Sequence, residues 1–486
     1  MERKNIYMCM LAALLSCSDS VKVSRTLDEM PVIFPDYNGV VIPPNIAPLN
    51  FALNDQDAGS CAVFSFGGQQ FEVKGEKGGF VIPPSKWKKL LESATGNSIQ
   101  VTVQVKQGNE WVAYSPFTIQ VAAEKIDSYL AYRLIDPGYE LWNKMGIYQR
   151  DLESYTQTPI IENKMSGNNC VNCHSFCMQN PDKMLFHMRE TFPGTILVDG
   201  DKIEKLNTKT RETISSLVYP SWHPSGKYVA FSVNTTKQAF HLNDKNRVEV
   251  YDEASDVVVY DVEKHEIVTA STIFSKDAFE TFPTFSPDGK TLYFCTAEAR
   301  PIPQEYSEVK YNLCSISFDP ATRTFGTQVD TLYNAKSGGM SASFPRVSPD
   351  GRYLLYTLSG YGNFSIWHKD ADLYMTDLQI GTSRPLAEVN SDDVESYHSW
   401  SSNSRWFVFS SRRIDGLYTR PYIAYVGEDG KVGKPFLLPQ KDVGFYPSFM
   451  KSFNIPEFIT GKVKVQSRAL AIKAKEDKGT DVRFAK

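Results

Sequence analysis

Short apolar runs recur in pairs around a polar turn through the second half of the chain. Tyr219-Pro220-Ser221-Trp222 is followed by the turn His223-Pro224-Ser225-Gly226 and by Tyr228-Val229-Ala230-Phe231. Phe282-Pro283-Thr284-Phe285 leads through Ser286-Pro287-Asp288-Gly289 into Thr291-Leu292-Tyr293-Phe294. Phe344-Pro345-Arg346-Val347 leads through Ser348-Pro349-Asp350-Gly351 into Tyr353-Leu354-Leu355-Tyr356, and Tyr397-His398-Ser399-Trp400 leads into Trp406-Phe407-Val408-Phe409. Pro fixes φ, Asp bonds its own backbone and Gly accepts positive φ, so each copy predicts strand, tight turn, strand. A further apolar run follows each, such as Val257–Tyr260 and Leu373–Met375, and predicts the next strand. Residues 35–125 behave differently: Leu49–Leu53, Cys61–Ser65, Ile99–Val105 and Phe117–Val121 mostly alternate at period two, which predicts a small antiparallel sandwich.

Fixed-period self-similarity points to a repeat architecture. The steps between Trp222, Phe285, Val347 and Trp400 are 63, 62 and 53 residues, and Tyr446-Pro447-Ser448-Phe449 reads as a worn copy. Stepping back from Trp222, Cys173-His174-Ser175-Phe176 aligns with Tyr-Pro-Ser-Trp, which brings the copies to six. These motifs resemble the repeats of the TolB-type β-propeller. The resemblance implies an all-β chain: a β-sandwich at 35–125, an aromatic-rich connector at 126–165, a six-bladed β-propeller at 166–465 and a basic tail at 466–486 expected to be frayed. Propellers host many activities, so the fold alone assigns none. No Gly-x-Ser-x-Gly elbow and no phosphate-cradling loop occurs, which argues against a hydrolase.

Composition adds little to this and excludes one class. Of 486 residues 42% are hydrophobic and 22% charged, ordinary for a chain with a large core, and a net charge of -4 gives no reason to expect nucleic acid as a partner. The first residues are more informative. Arg3 and Lys4 precede the apolar stretch Ile6–Leu15, too short to span a bilayer and right for the core of a signal peptide at 1–16. Leu14-Leu15-Ser16-Cys17 resembles a bacterial lipobox, and the short polar stretch after it resembles that of lipoproteins from the Bacteroidetes group. The resemblance implies lipid on Cys17, a linker at 17–34 and a place in the bacterial envelope, on the periplasmic or the surface face of the outer membrane. An ordinary cleaved secretory signal is the alternative, and export follows from either.

Export makes the next motif meaningful. Cys170-Val171-Asn172-Cys173-His174 is Cys-x-x-Cys-His, the attachment signature of c-type haem: two thiols reach two vinyl groups and the adjacent imidazole ligates the iron. These five residues resemble those of c-type cytochromes, which implies haem c on Cys170 and Cys173 with His174 as the proximal iron ligand. Three features depart from that family. The motif opens a predicted strand rather than a helix, no cytochrome domain surrounds it, and Cys177 stands three residues beyond His174. A structural disulfide among the three cysteines and a Cys₃His zinc site are therefore alternatives. His398 aligns with His174, where the other copies have proline, and is expected as a neighbour lining the same funnel. His187 is expected as a packed core histidine. The reading that follows is an exported lipoprotein whose propeller carries haem, an electron-transfer or redox-sensing module presented to envelope protein partners, one of them a redox partner. The alternative is a haem-free envelope interaction scaffold with structural cysteines.

Overall fold

The computed structural model describes residues 22–53, 59–137 and 144–485, and the fold is all-β with a few short helices. The signal sequence and Cys17 lie outside the described residues, as do Tyr139 and Trp142 of the aromatic stretch. Among the described residues no helix is long and apolar enough to cross a membrane.

Six sheets are built on four antiparallel strands each, in simple meander order. Their first strands are Cys170–Phe176, Leu217–Trp222, Ala278–Phe285, Ser341–Val347, Glu395–Trp400 and Ser452–Ile459. Each of these touches the next, and Ser452–Ile459 touches Cys170–Phe176. The sixth sheet is discontinuous in sequence. Ser452–Ile459 pairs antiparallel with Tyr129–Ile135, which continues into Gly146–Asp151 and Gln157–Glu162. The aromatic stretch at 126–165 is thus three strands rather than a connector. The sixth copy of the repeat is Ile455-Pro456-Glu457-Phe458, while Phe445–Ser448 forms a helical turn. The Tyr-Pro spelling pointed to the wrong segment because proline starts helical turns as readily as it follows a bulge.

The turns form as their residues dictate. Asp288 Oδ1 accepts from the Lys290 amide at 3.0 Å, Ser286 Oγ accepts from the Thr291 amide at 3.0 Å, and Gly289 takes φ +72°. Ser348 and Asp350 repeat the arrangement, and in the next sheet Ser401 and Asn403 stand in, with Ser404 at φ +62° in place of glycine.

The N-terminal region holds a seven-stranded sheet, a three-stranded sheet and the helix Pro84–Ala94. Trp87, Leu90, Leu91 and Ala94 fall on one helical face and are all buried, with Trp87 Nε1 donating to the Ile46 carbonyl at 3.1 Å. The alternating pattern of residues 35–125 found the long strands and missed this helix. The tail is packed, not frayed. Helix Ser467–Ala474 buries Leu470 and Ala474, and Lys205 Nζ donates to the carbonyls of Ala474 and Glu476 at its C-terminal end, at 3.0 and 2.7 Å. Beyond it Thr480–Asp481 and Arg483–Phe484 add parallel edge strands to the first two sheets, covering edges that would otherwise be open.

Candidate functional site

Every first strand carries one irregularity at the same place. Cys173, Tyr219, Phe282, Phe344, Tyr397 and Ile455 all have φ between +47° and +53°. Pairing with the second strand slips at each of them. Left-handed backbone costs a residue with a side chain roughly 1–2 kcal/mol, so six copies are a built feature rather than noise. The residue that follows is Pro220, Pro283, Pro345 or Pro456 in four strands and His174 or His398 in two. Proline suits the slot because its amide falls inside the slip and has no ladder partner to lose.

The six left-handed residues and their neighbours form a collar. Phe282 and Phe344 stack at 3.9 Å between ring centroids, Tyr219 meets Phe282 edge-on at 4.9 Å, and Tyr397 meets Phe344 edge-on at 4.7 Å. On one side of the collar lies a cavity of about 140 Å³, lined from all six first strands. The slot two residues past the collar faces it: Ser175, Ser221, Thr284, Arg346, Ser399 and Glu457. Four carry a hydroxyl and two an ionisable group. Neither ionisable group has an ion-pair partner among the described residues, and both side chains are half-buried. Burial pushes the Glu457 carboxyl up to about 8, against the pull of the Phe176 amide, which donates to it at 2.9 Å, and of Arg346. Burial also lowers Arg346.

Both expected histidines reach this cavity. His174 is 3% exposed, and neither of its ring nitrogens finds a hydrogen-bond partner. Burial, with the charge of Arg133 added, drives its pKa down to about 3, while the Ile455 backbone opposes without meeting hydrogen-bond geometry. His398 is held differently. Its Nε2 donates to the Leu355 carbonyl at 3.1 Å, which fixes the tautomer and leaves Nδ1 as an unpartnered acceptor. Burial drives its pKa to about 3 as well. Both imidazoles are therefore neutral with a lone pair free, the form that binds metal. His187 is a packed histidine, its Nδ1 3.2 Å from Thr195 Oγ1.

All six described cysteines are free thiols. Cys173, 1% exposed, lines the cavity beside His174. Cys170 is half-buried near Arg133 and Arg189, whose charges oppose the rise that burial imposes on its thiol. Cys177 is not part of the group. It packs in the apolar layer between the first and second sheets, with Leu185 and Trp222. Among the described residues no three Cys, His, Asp or Glu side chains are placed to hold a metal ion, so the zinc reading loses its donor set. Both thiols of the Cys-x-x-Cys-His motif are free, and the neighbouring imidazole is buried without a partner. Arg346 and Glu457 were missed by sequence reasoning, although the Arg at a Ser/Thr slot of an otherwise regular repeat was a visible signal.

No protein-family model matches the chain, and no curated protein matches it. Among solved structures it is similar to prolyl oligopeptidase B of Galerina marginata, with 9% identity and a TM-score of 0.34 over 73% of this chain and 50% of that one. It is similar to dipeptidyl peptidase 4 of Porphyromonas gingivalis, with 12% identity and a TM-score of 0.31 over 66% of this chain and 53% of that one. A DUF4784 family protein of Bacteroides caccae gives 8% identity and a TM-score of 0.29 over 74% of this chain and 95% of that one. The chain thus spans about half the length of the two peptidases.

Proposed function

We propose that this protein is an exported lipoprotein anchored through Cys17, in which a β-sandwich-like unit precedes a six-bladed TolB-type propeller that carries haem c on Cys170 and Cys173. The cyclic contacts of the six first strands support the propeller. The observation that carries the haem reading is His174: a buried, neutral imidazole with both nitrogens free, next to a free thiol on its own strand. Burying a polar ring without a partner costs on the order of 1–3 kcal/mol, and a ligand that uses the lone pair removes the cost. When bound, the haem supplies one-electron chemistry at its iron. The chain's part is to hold His174 in its neutral form through burial and the nearby Arg133, and to screen it from water with Phe176, Ile455 and the collar. His398 lines the same cavity as a neighbour rather than as an assigned ligand. The module would exchange electrons with, or report redox state to, a protein partner in the envelope.

The second reading, a haem-free interaction scaffold, is favoured by one observation. The cavity of about 140 Å³ is below the ~300 Å³ at which pockets begin to enclose a drug-sized ligand, so a macrocycle would need the first strand to shift. A pyridine haemochrome spectrum of the exported protein, co-expressed with a haem-attachment system, separates the two. Haem is expected to survive denaturing electrophoresis in wild type and to vanish in the C170A/C173A double variant. A colourless wild-type band would overturn the haem reading and leave the scaffold.

A further inference from the structure

A second cavity, about 380 Å³, lies on the other side of the collar. Tyr219 and Tyr397 line both cavities and so mark the boundary between them. Its walls are aromatic on one side, with Phe364 and Trp367, and cationic on the other, with Arg133, Arg189 and Arg412 and with Lys237 at the rim.

Lys237 pairs with Glu253 at 3.9 Å, but the three arginines have no ion-pair partner in the cavity wall among the described residues. Arg133 spends its donors on neutral oxygens, Asn172 Oδ1 and, at 2.8 Å, Asn454 Oδ1, and its Nε is buried without a partner. Arg412 lies over the Trp367 ring at 4.4 Å, and its Nε too is buried and unpartnered. Arg189 makes no side-chain hydrogen bond or ion pair among the described residues. The acids nearby are committed elsewhere. Asp136, the one carboxylate in the wall among the described residues, holds Lys451 at 2.7 Å. Asp393 and Asp415, which act on Arg412 from a distance, lie 4.0 Å from Lys369 and 3.8 Å from Arg420. Glu190 follows Arg189 in sequence without pairing to it. Burial takes Arg412 down only to about 10, so its guanidinium keeps its charge at neutral pH. Three unpaired charges around one cavity are costly unless something enters with them. Planar guanidinium forks match the oxygens of phosphate and carboxylate groups, and the aromatic wall suits a ligand with a flat or apolar remainder.

We infer that this second cavity is a binding site for a small oxyanion of two or more negative charges, a phosphate or polycarboxylate, held by Arg133, Arg189 and Arg412. The site does not depend on the haem reading, and its test is made on the full exported chain with Cys170 and Cys173 replaced by alanine, which carries no haem. Pyrophosphate and citrate are titrated in turn, with sodium chloride at matched ionic strength as the control, and unfolding temperature and heat of binding are recorded. Saturable stabilisation by at least one of the two probes is expected, beyond that of sodium chloride. Affinity should fall at least tenfold in R189Q and in R412Q and stay unchanged in K336Q, whose lysine is exposed on a separate short helix. Near-UV circular dichroism checks that the arginine variants fold. Should either fail to fold, K237Q decides, since Lys237 sits at the rim with its side chain 57% exposed, and a two- to fivefold loss is expected there. No saturable binding, or binding equally strong in folded R189Q or R412Q or in K237Q, would overturn the site. Phosphate-type binding that is lost when the wild-type chain is loaded with haem would identify the haem carboxylates as the resident oxyanion. Binding that persists would make the ligand a free anion.

Discussion

Glu457 offers the sharpest test of the cavity beside His174. Its carboxyl is raised from an ordinary 4.5 to about 8, with burial the main cause. Between those two values the folded chain holds a proton that the unfolded chain has released. Unfolding therefore releases a proton, and stability falls as pH rises from about 4.5 to about 8 and then levels off. The ceiling is ~1.4 kcal/mol per pH unit, or ~4 kcal/mol between pH 5 and pH 8. Glu457 is half-buried and opens onto a cavity, so solvent screening brings the expected span to about 2 kcal/mol. The variant E457Q copies the protonated shape, keeps an oxygen for the Phe176 amide and removes the titration. Urea unfolding of both proteins at pH 5, 6, 7 and 8, followed by tryptophan fluorescence, should show E457Q gaining on wild type steadily across that range. Groups shared by the two proteins, His174 and His398 included, cancel in the difference. A difference that stays flat from pH 5 to pH 8 would refute the reasoning and place Glu457 in a solvated setting.

Other outcomes follow from the same architecture. The variant H398P should fold with a loss of about 1 kcal/mol, the worth of one hydrogen bond to Leu355, because four equivalent positions already hold proline; thermal unfolding checks it, and a loss above about 3 kcal/mol would contradict the equivalence. Deleting residues 452–486 should abolish cooperative unfolding, since Tyr129–Ile135 loses its inner partner strand; limited proteolysis of the truncated chain reads this directly. The variant W87A should cost ~3–5 kcal/mol through the cavity left under the N-terminal helix, measured by chemical denaturation. Replacing Cys17 by alanine should move the protein from the membrane to the soluble fraction, and a variant that stays membrane-bound in high salt would exclude lipid as the anchor.

The repeat was legible because the turn chemistry is local. Ser-Pro-Asp-Gly specifies its own hydrogen bonds within five residues, so Asp288 and Asp350 announce their hairpins without help from the rest of the fold. The sixth sheet was not legible for the opposite reason. Its strands at 129–162 meet Ser452–Ile459 only through long-range pairing, and neither segment carries the turn signature. Ile455-Pro456-Glu457-Phe458 keeps the proline and the aromatic residue but trades the hydroxyl slot for a carboxylate, which hid it. Of the cavity beside His174, the two histidines could be read because each replaces a proline at an aligned position. The arginines of the second cavity could not, because Arg133 and Arg189 lie in two different sheets, Arg412 follows a strand of a third, and the three share no motif.

The pairing of Tyr129–Ile135 with Ser452–Ile459 joins parts of the chain some three hundred residues apart. Contacts so distant form late, because the closing of a long loop must be paid in entropy before the contact returns anything. A chain that crosses a membrane N-terminus first delivers Cys170–Phe176 early and Ser452–Ile459 near the end. During that interval the strand bearing Cys173 and His174 has one flank uncovered, and it is sealed only when the last strand arrives. The position of the final strand thus acts as a clock: in a chain exported as proposed, any chemistry that needs access to those side chains belongs to transit, before the mature fold withdraws them from solvent.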